Sequence, residues 1–308
     1  MQITSTPAAT QPTRILRPGP DFRWPGGARI AIVFNIAYEG WSDGKTSGIG
    51  PMGNVLAPGY FDTNAHSWGQ YGPLRGIHRL LDIADQHGIA TSVMTNGILA
   101  ERFPETVKMI HGRGHEIVAH SYGMDVIPVY LKQDEEQANI ARCQSLVQAA
   151  AGMQPPGWIS PRVTGSPITP RLLAEAGFVW HGDCNDDDLP HIAEYADAQR
   201  IVGIPFTMDV NDMPSSVRYG NPPRAMLETF RDAFGAMLTR EKSCMLLDVT
   251  AHTHVFGRPA GAWVFDEIMA ITKRHAAAAD APVWIGTRIE IARHMLAQAA
   301  QLVETRAS

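Results

Sequence analysis

Short apolar runs rich in β-branched residues alternate along the chain with longer amphipathic stretches, the pattern of repeated strand–helix units around a parallel sheet. Residues 29–36, 90–95, 116–120, 157–160, 178–180, 201–204, 245–250 and 282–285 read as strands, seven or eight in all. Between them, residues 73–87 carry Leu74, Ile77, Leu80, Leu81 and Ile83 at helical spacing and stop at Gly88, a helix-ending residue. Residues 133–151 and 222–238 are periodic in the same way. Thr169 followed by Pro170 opens another helix, which Gly177 closes. The fold class expected is α/β, with one large domain over residues 28–300.

Two segments depart from this rhythm. Residues 1–27, rich in Pro, Thr and Gly, read either as an irregular N-terminal arm lying over the domain or a neighbouring subunit, or as a partly disordered tail. Residues 37–70 form a long insertion after the first strand, with Trp41, Tyr60 and Trp68 among Gly, Pro and Asn. Loops after strand C-termini build the active sites of parallel barrels, so this insertion is expected to act as a lid or to contact substrate, the alternative being an oligomeric or decorative insertion.

Composition narrows the possible chemistry. The net charge of −5 comes without long runs of Lys or Arg, which excludes a nucleic-acid or anionic-membrane footprint and favours a small-molecule substrate. Three widely spaced cysteines, Cys143, Cys184 and Cys244, make neither a disulfide framework nor a metal knuckle. With no run of eighteen apolar residues and no apolar leader, a cytoplasmic location is expected.

Hydrolysis of an amide needs a base for water, donors for the oxyanion and an acid for the departing nitrogen. Glu39 lies just past the first strand beside aromatic residues. As a lone carboxylate it is more readily a solvated loop residue than a catalytic one. His120 ends the third strand, and as a lone histidine it is as readily structural as functional. His115 and Glu116 belong to the preceding turn or to the opposite end of the sheet. His252 and His254 follow the strand 245–250 and, two residues apart, share one side of the extended chain. Together they could bind a metal, act as acid and substrate donor, or be buried structural histidines. Asp183, Asn185, Asp187 and Glu194 mimic a calcium loop, but Asp188 stands where the sharp turn needs Gly, so a hydrogen-bonded acidic turn is expected instead.

Taken in order, these segments resemble the polysaccharide deacetylase superfamily, and within it the branch of metal-independent allantoinases. The residues that carry the resemblance span about 29–294: Tyr71-Gly72, Gly114-His115-Glu116 leading to His120, Gly157-Trp158 with Arg162, and Asn185-Asp186-Asp187-Asp188-Leu189-Pro190. Further pieces are Ile204-Pro205-Phe206-Thr207-Met208-Asp209 with Asn211-Asp212-Met213, His252 with Gly257-Arg258-Pro259-Ala260, and Val283-Trp284-Ile285 with Ile291-Ala292-Arg293-His294. The resemblance implies an irregular (β/α)7–8 parallel barrel and a symmetric homo-oligomer. It places Glu39, His120 and His252 in the catalytic positions and Arg162 on a carbonyl or ureide oxygen of the substrate; Trp41, Trp158, Asn211 and His254 are further candidates for substrate contact, His254 standing where that branch tends to have an arginine.

Against the family pattern, Met124 occupies the position where metal-dependent deacetylases carry a second histidine, and Gly40 follows Glu39 where a second acidic residue is usual. A thioether suits zinc or a hard divalent ion poorly, so no cofactor is expected. If a metal were bound, Glu39, His120 and Asp125 would be its ligands. The reading that results is a hydrolase opening a small cyclic amide or ureide. The alternatives are a zinc- or other divalent-metal-dependent N-deacetylase of an acetylated sugar or amine, and a catalytically silent ligand-binding relative.

Overall fold

A computed structural model describes residues 11–46, 55–57, 59–280 and 282–305. Residues 1–10 of the arm and 47–54 and 58 of the insertion lie outside them. The strands are β1 (Arg14–Arg17), β2 (Ile30–Tyr38), β3 (Ser92–Thr95), β4 (Glu116–Ala119), β5 (Gly157–Trp158), β6 (Trp180–His181), β7 (His191–Glu194), β8 (Arg200–Gly203), β9 (Met245–His252), β10 (Val283–Ile285) and β11 (Val303–Thr305). The helices are α1 (Thr63–Tyr71), α2 (Ile77–His87), α3 (Gly97–Arg102), α4 (Pro104–Gly112), α5 (Gln133–Ala151), α6 (Thr169–Glu175), α7 (Arg224–Thr239), α8 (Pro259–Ala276) and α9 (Arg288–Ala297).

All eight expected strands are present and mutually parallel. β2 is flanked by β9 along its length, and by β10 and β3 on its other side. The series continues through β4, β5, β6 and β8. β8 does not pair with β9. The chain after β8 instead meets β9 through one parallel bridge, Asn211 with Thr250, so the barrel is irregular at this seam. β7, β1 and β11 extend the edge beyond β8 as antiparallel strands. The segment read as an irregular arm thus contributes a strand. Arg-Ile-Leu-Arg, His-Ile-Ala-Glu and Val-Glu-Thr are too short to show period two, so these edge strands leave no signal in the sequence.

Alternation along the parallel strands decides which residues reach the barrel interior. In β2, Ile30, Ile32, Phe34 and Ile36 pack outward on Ile77, Leu80 and Leu81 of α2, while Ala31, Val33 and Ala37 face inward with Met94, Val118, Ile159 and Val202. All nine residues of β2 are buried, as expected for a strand covered on both faces. The same parity turns Asn35 and Glu39 inward from β2, Val118 and His120 from β4, and Asp248, Thr250 and His252 from β9.

Lower in the barrel these inward positions hold polar groups that bond one another. Arg288, fully buried at the start of α9, pairs with the buried Asp248 and donates from Nε to Asn35 Oδ1 at 3.1 Å. Glu116 accepts from Ser92 Oγ at 2.7 Å, Trp180 Nε1 at 3.0 Å and the Ile289 backbone at 3.0 Å, and His115 lies between Thr91 and Asp85. These two residues serve the end of the barrel away from His120, as their place before and at the start of the strand suggested. The carboxylate and guanidinium are tolerated there because each is paired.

The insertion is more regular than a loop. β2 continues through its first two residues, and from Thr63 the chain is helical, with Asp62 Oδ1 accepting from the Ala65 backbone at 2.9 Å as an N-cap. No helix among the described residues is long and apolar enough to cross a membrane.

Candidate active site

Glu39, Asn96 and His120 each lie one residue beyond the C-terminal end of a parallel strand, and His252 is the last residue of β9. In a parallel barrel this is the edge where the connecting loops leave room for a ligand. The register lines them up: Tyr38 is level with Thr95, Thr95 with Ala119, and Ala37 with His252. Asn96 ties two loops together, its Oδ1 accepting from the Gly40 backbone at 2.8 Å and its amide donating to the His120 carbonyl.

Three imidazoles surround one buried carboxylate. Glu39 Oε1 is 3.3 Å from His252 Nε2 and 3.6 Å from His120 Nε2, and Oε2 is 4.0 Å from His254 Nδ1. Each ring is held differently. His120 Nδ1 lies 2.5 Å from the Ile159 carbonyl, which can only accept, so Nδ1 carries a proton and Nε2 is turned to Glu39. His252 Nδ1 contacts Asp212 Oδ1 at 2.6 Å, while Asp212 Oδ2 accepts from the His252 and Phe256 backbones at 2.8 and 3.1 Å. His254 is fully buried with both ring nitrogens unpartnered, and Glu39 Oε2 is unpartnered as well. Buried polar atoms left open in this way are rare outside sites that a ligand or water completes.

Electrostatics divide the protons between these groups. Burial alone would raise the Glu39 carboxyl, but the charge on His252 and the donors on His120 and His252 together hold it well below the ordinary carboxylate range. Burial would depress His252, yet the Glu39 and Asp212 carboxylates push it up to about 10. His254 is pulled down to about 4, chiefly by burial. At neutral pH the site therefore holds an ionised carboxylate, a protonated His252 and a neutral His254, which is the arrangement of a base, an acid and a neutral hydrogen-bonding ring.

These groups stand in the wall of a cavity of about 380 Å³, also lined by Trp41, His120, Met124, Ser160, Arg162, Asn211 and Arg218, a size suited to a small molecule. Trp41 puts its ring edge-on to His254 with centroids 5.3 Å apart. Asn211 Oδ1 accepts from the Met213 backbone at 3.0 Å. Arg162 sits in a short turn with φ of 61°, followed by Val163 at 54°, and Ser121 after His120 has φ of 60°. Non-glycine residues in this region store strain, and such strain clusters at functional sites.

Two expected contributors stand elsewhere. Trp158 does not line the cavity. Its ring is fully buried against Phe178, and its Nε1 donates to Ser160 Oγ at 3.0 Å, so it supports the wall rather than facing a ligand. Asp125 is engaged by the Ser42 backbone through Oδ1 at 2.8 Å and is not part of the cavity wall. The alternative metal set of Glu39, His120 and Asp125 is accordingly not brought together, and no group of three or more His, Cys, Asp or Glu among the described residues is arranged to hold a metal ion. Asp183 and Asp187 are likewise used by the protein, the first accepting from Ser160 at 2.7 and 2.6 Å and the second pairing with Arg17.

Asp212, within Asn211-Asp212-Met213, and Asn96 join the site without a sequence signal of their own. An Asp forty residues before a His gives no spacing signal; only the bridge between Asn211 and Thr250 brings them together. Gly76 and Gly257 show why glycines flank the site. A Cβ on either would lie 1.8 or 2.0 Å from the Thr253 carbonyl, so the turn bearing His252 and His254 is packed directly against backbone.

Comparison with known proteins agrees with this architecture. Residues 70–180 match the family model for polysaccharide deacetylase. The peptidoglycan deacetylase of Helicobacter pylori is 23% identical over 230 residues, covering 65% of this chain and 78% of its own length. The crystal structure of PuuE allantoinase superposes with a TM-score of 0.79 at 26% identity, over 91% of this chain and 94% of its own. The "probable polysaccharide deacetylase" of Pseudomonas aeruginosa PAO1 does so with a TM-score of 0.78 at 27% identity, over 91% and 95%. The chain is similar to the polysaccharide deacetylases in sequence over residues 70–180 and in fold over most of its length, and is a hydrolase acting on carbon–nitrogen bonds other than peptide bonds.

Proposed function

We propose that the protein hydrolyses a small cyclic amide or ureide by acid–base catalysis without a resident metal. The observation that carries this reading is the pairing of an ionised Glu39 with a protonated His252 at 3.3 Å on one cavity wall. Glu39 takes a proton from water as the oxygen bonds to the ring carbonyl. The carbonyl electrons move to its oxygen, which Arg162 and His120 orient and stabilise. As the carbon–nitrogen bond breaks, His252 Nε2 gives its proton to the departing nitrogen. The proton held by Glu39 then returns to His252, which resets both groups. The open nitrogens of His254 suit the alternating N–H and C=O groups of a ureide or imide edge.

The donor set supports this reading over a metal-dependent deacetylase. Met124 lines the cavity where the family's second histidine ligand would stand, and a sulfur donor is a poor match for zinc beside carboxylate and imidazole.

The pH dependence of kcat/KM tests the assignment. Activity requires Glu39 ionised and His252 protonated, so the rate falls on the acid side as Glu39 gains its proton and on the alkaline side as His252 loses its own near pH 10. The profile is therefore expected to stay flat across neutrality. Replacing Asp212 by Asn removes a carboxylate that raises His252, so the alkaline limb should move to lower pH. An alkaline limb unmoved by Asp212→Asn would remove His252 from the role of acid.

A further inference from the structure

Arg218 ends the helical turn Met213–Arg218, which begins directly after Asp212. The segment that positions the partner of His252 thus also places a guanidinium on the cavity wall. The side chain of Arg218 makes no hydrogen bond or ion pair to the described residues, and neither does that of Arg162. Arginines elsewhere on the molecule do find carboxylates: Arg17, Arg102, Arg113 and Arg171 each hold an aspartate. Among the described residues that line the cavity, Glu39 is the one carboxylate, and its charge is balanced by His252.

The mouth of the cavity therefore presents two positive charges that nothing in the wall neutralises. Opening a ring at one carbonyl creates a single oxyanion, for which Arg162 suffices. Arg218 is left over. A guanidinium fork matches the two oxygens of a carboxylate in geometry as well as charge, and Met213, Pro214 and Val217 beside it give an apolar surface for the ring. Building on the ring-hydrolysis reading, we propose that the substrate is a cyclic amide or ureide bearing a carboxylate substituent, and that Arg218 binds that carboxylate.

Matched pairs of rings test this: hydantoin against hydantoin-5-acetate, and dihydrouracil against its 6-carboxylate. The carboxylated member of each pair is expected to have a kcat/KM about 10- to 100-fold higher, the range of a charge-assisted bidentate contact. That preference should shrink with rising salt, collapse in Arg218→Gln and survive in part in Arg218→Lys. A preference for the neutral members, or one left intact by Arg218→Gln, overturns the assignment. If no ring is opened at all, the hydrolysis reading fails, and calorimetry of the same pairs decides the carboxylate site separately. Binding of the carboxylated member alone, lost in Arg218→Gln, supports the site; equal binding of both members, or of neither, overturns it.

Discussion

Glu39→Gln is expected to lower kcat by about 10²- to 10⁴-fold, the usual contribution of a positioned general base. The substitution keeps the size and most of the polarity of the side chain but removes its ability to accept a proton. It also withdraws a charge that raises His252, so the residual activity should lose its alkaline limb at a lower pH than the wild type. Because His252 keeps its contact with Asp212 when the Glu39 charge is withdrawn, and Glu39 Oε2 has no protein partner, the fold should persist and the thermal unfolding transition should change by only a few degrees. A rate within a few-fold of wild type in a folded Glu39→Gln protein would leave the site without a base.

His252→Ala is the second large effect. The imidazole is placed both against Glu39 and against Asp212, so its removal takes away the acid and leaves a buried carboxylate facing the space it vacates. Turnover should fall by about 10²-fold or more. Substrates whose leaving nitrogen is strongly electron-poor need less protonation and should lose less. Imidazole added to the medium can occupy the vacated space between Asp212 and Glu39 and restore part of the rate. A loss of activity that is the same for every leaving nitrogen and unresponsive to imidazole would mark His252 as structural.

The sequence reveals much of the barrel because its strands are buried on both faces and therefore read as unbroken apolar runs. The run 29–36 and the strand Ile30–Tyr38 differ mainly at the end where the pattern gives way to Tyr38 and Glu39. The antiparallel edge is silent because its strands are three or four residues long. Among site residues, Glu39, His120 and His252 stood out as the ends of recognisable strands, and period two correctly placed His252 and His254 on one side. Asp212 could not be found in that way, since its contact with His252 depends on how the chain after β8 closes on β9. Trp158 shows the opposite failure. Its motif position suggested substrate contact, but its inward neighbour Ile159 reaches the cavity while the indole turns into the core between sheet and helices. Asp125 was a plausible ligand from its distance along the chain from His120, and the backbone of Ser42 occupies it instead.

Mass spectrometry of ring opening by exhaustively chelated protein tests the central claim most directly. Hydantoin- or dihydropyrimidine-type rings are expected to gain the mass of one water at a rate unchanged by chelation and unchanged again when zinc is restored. Activity that disappears with chelation and returns with zinc, or loss of acetyl groups from N-acetylated sugars in place of ring opening, would contradict it.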